Sequence, residues 1–162
     1  MYKRQEKIPY SHNPELYGVV GNVSDNLKVR DQFYSGKYLS QLKFYDDSLE
    51  ILNLLASKHE LHLVSALEPE QSKKRVENLK MLNYTTLQCV GDDRKEEIVI
   101  EEIQPDVMIE DRPELIEAFH RAGIRVIFPN WHPYTKGMEC FATPFSLWNE
   151  VPYLLHNSLT TD

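Results

Sequence analysis

Two adjacent carboxylates, Glu110 and Asp111, directly follow the apolar run of residues 107–109. Carboxylates repel one another and are costly to bury, so a pair at the end of a strand should face water, a cation or a binding partner. Oxygen ligands of this kind suit a divalent cation such as Mg²⁺. The pair therefore predicts a cation-holding site, unless it merely caps a helix that begins at Pro113.

Polar groups follow two other apolar runs in the same way. Ser65 and Ala66 come after residues 61–64, and Lys95 comes shortly after residues 86–90. Taken singly, Ser65 is typical of a turn or helix cap, and Lys95 is typical of a solvated helix. Only their order along the chain, together with the acidic pair, indicates a function.

The hydrophobic pattern predicts the elements that must position these side chains. It alternates between strands (60–66, 86–90, 106–110 and 125–129) and helices (45–59, 68–84, 94–103 and 113–123). In the helix 68–84 we expect Val76, Leu79 and Leu82 to face inward. Such alternation predicts an α/β domain of the doubly wound class, with a parallel sheet, helices on both faces and ligands beyond the carboxyl ends of the strands.

Residues 1–44 lack this alternation, and we expect them to form an irregular or weakly helical cap on a core of residues 45–162. Residues 16–22 are the nearest approach to a further strand. In the loop after residue 129, Trp131, His132 and Tyr134 would either touch a substrate or pack among themselves. His120 and His132 have no paired metal-ligand spacing and are interpreted as structural.

Composition narrows the classes of partner. The 162 residues, 41% hydrophobic, suffice for one core, and the net charge of −7 argues against nucleic-acid polymers and anionic membranes. The polar N-terminus and the lack of a long apolar stretch indicate neither signal peptide nor membrane span. Cys89 and Cys140 do not have the spacing of a metal-binding cysteine pair. We expect Cys89 to be a buried thiol, and a reducing cytoplasm is the predicted location of the protein.

Three stretches in this order resemble the haloacid dehalogenase superfamily of phosphatases, and within it the 5'(3')-deoxyribonucleotidases. They are LHLVSA (61–66), VGDDRKEEIVIEEIQPDVMIEDRPE (90–114), and RVIFPNWHPYTKG (125–137) with the later SLWNEV (146–151). Their polar residues match the second, third and fourth motifs of that family. The resemblance covers roughly residues 45–156.

The resemblance implies a Rossmann-like core. It also implies a Mg²⁺-dependent phosphomonoesterase that acts on nucleoside monophosphates, and it is compatible with a homodimer. Ser65 and Ala66 would bind a phosphate oxygen, and Lys95 would neutralise another. Asp111 would reach Mg²⁺ directly or through water, with Glu110 in an outer-shell role. Phosphoryl transfer needs such positioning and charge neutralisation.

The family's first motif, an Asp-x-Asp that supplies the nucleophile and the general acid, is absent from the sequence. One explanation is a pseudoenzyme that binds phosphate without turnover. The other is truncation, because residues 2–5, Tyr-Lys-Arg-Gln, translate TATAAGAGACAG, which resembles a transposon end used in preparing sequencing libraries. Residues 1–5 would then be a scar, and the first central strand would be missing. We expect either a vacant position in the sheet or residues 16–20 drawn into it.

The chain as given is therefore expected to be inactive, while its complete parent is a nucleotidase-type phosphatase. Two alternatives stay open. One is a catalytically silent phosphate- or nucleotide-binding protein with a regulatory role. The other is a phosphatase of the same superfamily for a different phosphate ester, because the cap determines substrate choice and cannot be interpreted from this sequence.

Overall fold

The computed structural model describes residues 39–91 and 93–156. Its helices are α1 (Ser48–Ala56), α2 (Ser72–Asn78), α3 (Lys95–Glu97, continued as a π-helix over Ile98–Ile103), α4 (Pro113–Arg121) and α5 (Val151–His156). Its strands are β1 (His62–Ser65), β2 (Thr86–Cys89), β3 (Val107–Ile109), β4 (Arg125–Pro129) and β5 (Thr143–Phe145). Helices and strands alternate along most of this length, so the protein has an α/β fold.

The described strands form two parallel sheets. In the smaller sheet β1 pairs with β2, with Ser65 opposite Cys89. In the larger sheet the order is β3-β4-β5, with Ile109 opposite Ile127 and Pro129 opposite Phe145. Because every pairing is parallel, the carboxyl ends within each sheet lie at one edge.

Helices cover both faces of the larger sheet. Side chains along β4 alternate between the two faces, so each face has its own apolar residues to bury. Val126 and Phe128 point to one face, and Ile127 points to the other. The first face is covered by buried residues of α3 and α4: Val99, Leu115, Ile116 and Phe119. The second is covered by α1 and α5, through Leu55 and Val151. The larger sheet therefore lies between two layers of helices at β4, as predicted from the sequence.

The smaller sheet joins the same core through Val64, which packs against the cluster beneath α3 and α4. Residues 39–42 also belong to this body: Leu39 is 1% exposed, and Asn78 Nδ2 donates a 2.7 Å hydrogen bond to the Leu42 carbonyl. The rest of the predicted cap, residues 1–38, lies outside the described residues.

Among the described strands, β1 and β3 do not pair, so these strands do not form one continuous five-stranded sheet. Whether a further strand lies between them, as the resemblance implies for the family's first strand, stays a prediction. Residues 16–20, the segment considered for that place, lie outside the described residues. The described part of the chain has no helix that is both long and apolar enough to cross a bilayer.

Several local predictions need correction. The helix predicted over 94–103 is α-helical only at its start and then widens into a π-helix. Val76 is 47% exposed rather than inward-facing. The helix α2 ends at Asn78, before the end predicted for it, and Leu79 and Leu82 beyond it are buried as predicted. Cys89 is half-buried rather than buried, since β2 has one sheet neighbour among the described strands.

Core burial on α4 can be tested against the exposed face of α2. Ile116→Val removes one methylene from a fully buried site and should lower the free energy of unfolding by about 1 kcal/mol. Val76→Ala, at an exposed site, should change it by less than about 0.5 kcal/mol. Urea unfolding followed by circular dichroism would compare them, and equal losses would contradict this assignment of faces.

Candidate functional site

A buried ion pair connects the segments that follow β2 and β3. The Lys95 Nζ lies 2.6 Å from Glu110 Oε2, and the two side chains are 13% and 1% exposed. Oε2 has no other hydrogen-bond partner within the described part of the chain. Lys95 follows β2 of the smaller sheet, and Glu110 follows β3 of the larger sheet. Their contact therefore brings the carboxyl ends of these two strands close together.

The other oxygen of Glu110 organises the turn after β3. Oε1 accepts hydrogen bonds from the backbone N–H groups of Asp111 (3.0 Å) and Arg112 (3.1 Å). The backbone N–H of Glu110 also donates to the Ile127 carbonyl at 3.2 Å, which extends the β3–β4 ladder. Both oxygens of the Glu110 side chain are thus engaged. The hydrogen bond from the Asp111 N–H to Oε1 fixes the direction in which the chain leaves β3.

Burial raises the pKa of Glu110 above its ordinary value. The Lys95 ammonium opposes this effect by charge attraction and hydrogen bonding, while the neighbouring Asp111 carboxylate adds to it. A carboxylate removed from water needs a cation beside it, because an unpaired buried charge is very costly. Lys95 meets that need.

The backbone delivers Lys95 to this position through Gly91. Its φ of +75° lies in the left-handed region that favours glycine, and it turns the chain out of β2 toward α3. The helix is anchored behind Lys95 by Val99, which is 1% exposed in the core. The N-cap residue of this helix is Arg94.

Asp111 is the exposed member of the acidic pair, with 37% of its side chain accessible. Its Oδ2 accepts a 2.9 Å hydrogen bond from the Tyr134 hydroxyl and lies 4.0 Å from His132 Nε2. It does not cap α4, whose N-cap residue is Arg112. The helix-capping alternative for Asp111 is therefore not what the structure shows.

The loop after β4 supplies these two aromatic partners in a fixed arrangement. The rings of His132 and Tyr134 stack with centroids 4.8 Å apart and planes 10° apart. Thr135, 1% exposed, holds the loop by donating from Oγ1 to the carbonyls of Pro129 (3.2 Å) and His132 (2.9 Å). Packing and contact with the polar site are thus combined in one loop, although the sequence left them as alternatives.

Ser65 and Ala66 lie at the carboxyl end of β1, as predicted. The Ser65 hydroxyl accepts a long hydrogen bond of 3.4 Å from the Leu67 N–H. Among the described residues it shares no hydrogen bond with Lys95, Glu110 or Asp111. The structure therefore assembles Lys95, Glu110 and Asp111 directly, and Ser65 is placed at a strand end without joining their network.

A magnesium ion would find one protein ligand here. The described residues contain no group of three His, Cys, Asp or Glu side chains suited to a metal. Glu110 has both oxygens engaged, whereas Asp111 is half-exposed. Because Mg²⁺ keeps several waters and often binds through one carboxylate and a substrate phosphate, Asp111 fits as that single ligand. Glu110 fits only the outer-shell role, by holding Asp111's backbone.

No family model matches the chain, and neither the curated proteins nor the solved structures contain a match.

The ion pair should reveal itself in stability. Lys95→Met leaves Glu110 buried and unpaired, so we expect a loss of roughly 3 kcal/mol in the free energy of unfolding. Adding Glu110→Gln keeps an Oε1 acceptor for the two backbone N–H groups, removes the buried charge and should restore much of that loss. Urea unfolding of both variants measures this, and a double variant no more stable than Lys95→Met would contradict it.

The stability of the protein should depend on pH through His132. Burial lowers the pKa of His132, and the Asp111 carboxylate partly opposes this. A depressed pKa means that the folded state disfavours the proton. The contribution of His132 to stability is therefore present above the pKa of the unfolded state, about 6.5, and is lost as the pH falls through the lower pKa of the folded state.

His132→Phe keeps a ring to stack on Tyr134 and removes the titration. The free energy of unfolding, measured in urea from pH 5 to 7.5 without metal, should fall less steeply toward acid than in the wild type. Trp131→Phe, which changes a neighbouring ring without removing a titratable group, is the control. An unchanged slope in His132→Phe would show that this histidine does not carry the effect.

Proposed function

We propose that the chain is a phosphate-monoester-binding domain of the haloacid dehalogenase type, whose complete parent is a Mg²⁺-dependent phosphomonoesterase resembling a 5'-nucleotidase. The observation that carries this proposal is the joining of Lys95, Glu110 and Asp111 beyond the carboxyl ends of parallel strands. Ligands in doubly wound folds bind at that edge. The resemblance described above adds the ordered motifs.

Each side chain would have a distinct task toward a phosphate. Lys95, oriented by Glu110, would share its ammonium with a phosphate oxygen, because an ammonium has three donors. Asp111 would hold Mg²⁺, which when bound neutralises phosphate charge. The Ser65 hydroxyl, at the next strand end, would donate to another oxygen. The net charge of −7 makes such local cations necessary for an anionic ligand.

The lack of pairing between β1 and β3, among the strands that the structure describes, supports the part of the proposal that concerns the absent first motif. In the resembled family, the strand bearing that motif runs between these two. The sequence offers no Asp-x-Asp to serve as nucleophile and general acid. We therefore expect this chain to bind phosphate esters without hydrolysing them. The predicted location of the protein is a reducing cytoplasm.

A second candidate function is a catalytically silent phosphate- or nucleotide-binding protein. It is favoured by the commitment of Lys95 to Glu110, which holds the site together without any substrate. Both candidates bind phosphate, and they differ in whether the native gene encodes a nucleophile upstream of the residues that resemble the family.

Titration calorimetry with inorganic phosphate, with and without MgCl₂, tests the shared part. Wild-type protein should bind phosphate more tightly with Mg²⁺, and Asp111→Asn should lose that enhancement. Lys95→Met/Glu110→Gln should bind phosphate about tenfold more weakly or worse under both conditions, through loss of a charged donor.

Lys80→Met is the matched control, because Lys80 pairs with Glu77 on the surface and should not affect binding. Absence of phosphate binding in the wild type would refute the proposal. Magnesium enhancement that survives Asp111→Asn would remove Asp111 as the ligand, and release of phosphate from an ester by this chain would refute the need for the absent aspartates.

A further inference from the structure

The hydroxyl of Tyr134 contacts one particular oxygen of the Asp111 carboxylate. It donates a 2.9 Å hydrogen bond to Oδ2, and the contact of Asp111 with His132 Nε2, at 4.0 Å, is to Oδ2 as well. Within the described part of the chain, both neighbours therefore lie at the same oxygen. Oδ1 is left for a further ligand, and 37% of the Asp111 side chain is accessible to one.

The Tyr134 ring is held in place by its surroundings. It is half-buried and stacks on His132, with centroids 4.8 Å apart and planes 10° apart. The next residue, Thr135, is 1% exposed and ties the loop to the Pro129 carbonyl. Withdrawing the hydroxyl from Asp111 would therefore require the two rings to unstack or a buried anchor to loosen.

Asp111 is thus fixed at its backbone and at its side chain. Its backbone N–H donates to Glu110 Oε1 at 3.0 Å, and its carboxylate accepts from Tyr134. A carboxylate held at two points presents its remaining oxygen in a defined direction. Hydrogen-bond partners that orient a metal ligand in this way contribute strongly to metal affinity.

The number of carboxylate oxygens available affects Mg²⁺ and Ca²⁺ differently. Mg²⁺ requires near-ideal octahedral geometry and keeps several waters, so a single carboxylate oxygen suits it. Ca²⁺ takes more ligands and often binds both oxygens of one carboxylate. At Asp111 a cation that took both oxygens would have to compete with the Tyr134 hydroxyl for Oδ2.

We propose that Tyr134 is a positioning residue that makes Asp111 a one-oxygen ligand, and that the site thereby selects Mg²⁺ over Ca²⁺. This inference rests on the proposed function for the role of Asp111 as the cation ligand. It adds the residue that orients this ligand and the selectivity that follows. The loop after β4 then acts on the cation through a hydroxyl at the oxygen that the cation does not use.

Calorimetry with methyl phosphate tests the selectivity on the whole chain. The ester is titrated in buffers of equal ionic strength that contain NaCl, MgCl₂ or CaCl₂, and the enhancement is the affinity with a divalent cation divided by the affinity in NaCl. In the wild type, MgCl₂ should give the larger enhancement.

Tyr134→Phe keeps the ring that stacks on His132 and removes the hydroxyl. The ratio of the Mg²⁺ enhancement to the Ca²⁺ enhancement should fall by about tenfold, the lower end of the effect of losing a partner of a metal ligand. Magnesium loses a pre-oriented oxygen, whereas calcium gains access to Oδ2. The matched control is Tyr153→Phe, which removes a hydroxyl from an exposed ring on α5 and should leave the ratio unchanged.

The ratio also separates positioning from a structural role. A folding defect in Tyr134→Phe would lower both enhancements alike, so an unchanged ratio would overturn the inference. Equal enhancements by Mg²⁺ and Ca²⁺ in the wild type would overturn it as well.

The inference and the proposed function fail in different ways. If MgCl₂ enhances binding in the wild type and Asp111→Asn abolishes the enhancement, but Tyr134→Phe keeps the wild-type ratio, the cation site stands and the role of Tyr134 is refuted. If neither cation enhances binding in the wild type, the cation site and the role of Tyr134 are both refuted.

Discussion

The contact between Lys95 and Glu110 is the interaction on which the site depends. It is the point at which the connection after β2 meets the turn after β3, although the strands themselves belong to different sheets. A buried ion pair of this kind contributes little net stability, since desolvation consumes most of the attraction. Its value is positional, because Lys95 offsets the cost of burying Glu110, and Glu110 Oε1 in turn accepts the Asp111 backbone N–H.

The larger sheet provides the other half of the arrangement. Strand β4 is buried on both faces, so its carboxyl end is a rigid starting point for the loop that follows. Thr135 closes that loop onto Pro129, and the stacked rings of His132 and Tyr134 extend from it to Asp111. The aromatic loop that contacts Asp111 is therefore held by the end of β4, which couples the position of Asp111 to that of Trp131.

The sequence predicted the parts of this structure that depend on local pattern. Strand β4, five apolar or partly apolar residues ended by Pro129, was predicted with its observed bounds, and α4 was predicted to start at Pro113 as it does. Strand β5 was not predicted, because three residues that include Pro144 give no periodic signal. The π-helix after Lys95 has the composition of an ordinary helix, so only tertiary packing distinguishes it.

The site was predicted by residue and not by contact. The sequence predicts Lys95, Glu110 and Asp111 as site residues from their order along the chain and from the resemblance to known motifs, but no spacing rule joins Lys95 to Glu110. Their pairing depends on how two crossover connections come together in space. Tyr134 was considered as a packing residue or a substrate contact, and its bond to Asp111 depends in turn on the buried Thr135. Such contacts are tertiary and leave no periodicity in the sequence.

The exclusively parallel pairing of the described strands has a consequence for how the chain acquires this structure. No strand here can pair with its neighbour through a hairpin, so every register requires an intervening helix or long loop to close first. Folding speed should then be governed by loop closure between distant segments and not by helix formation. Lys95 and Glu110 lie at the two ends of the segment formed by α3 and β3, so their ion pair requires that segment to be in place.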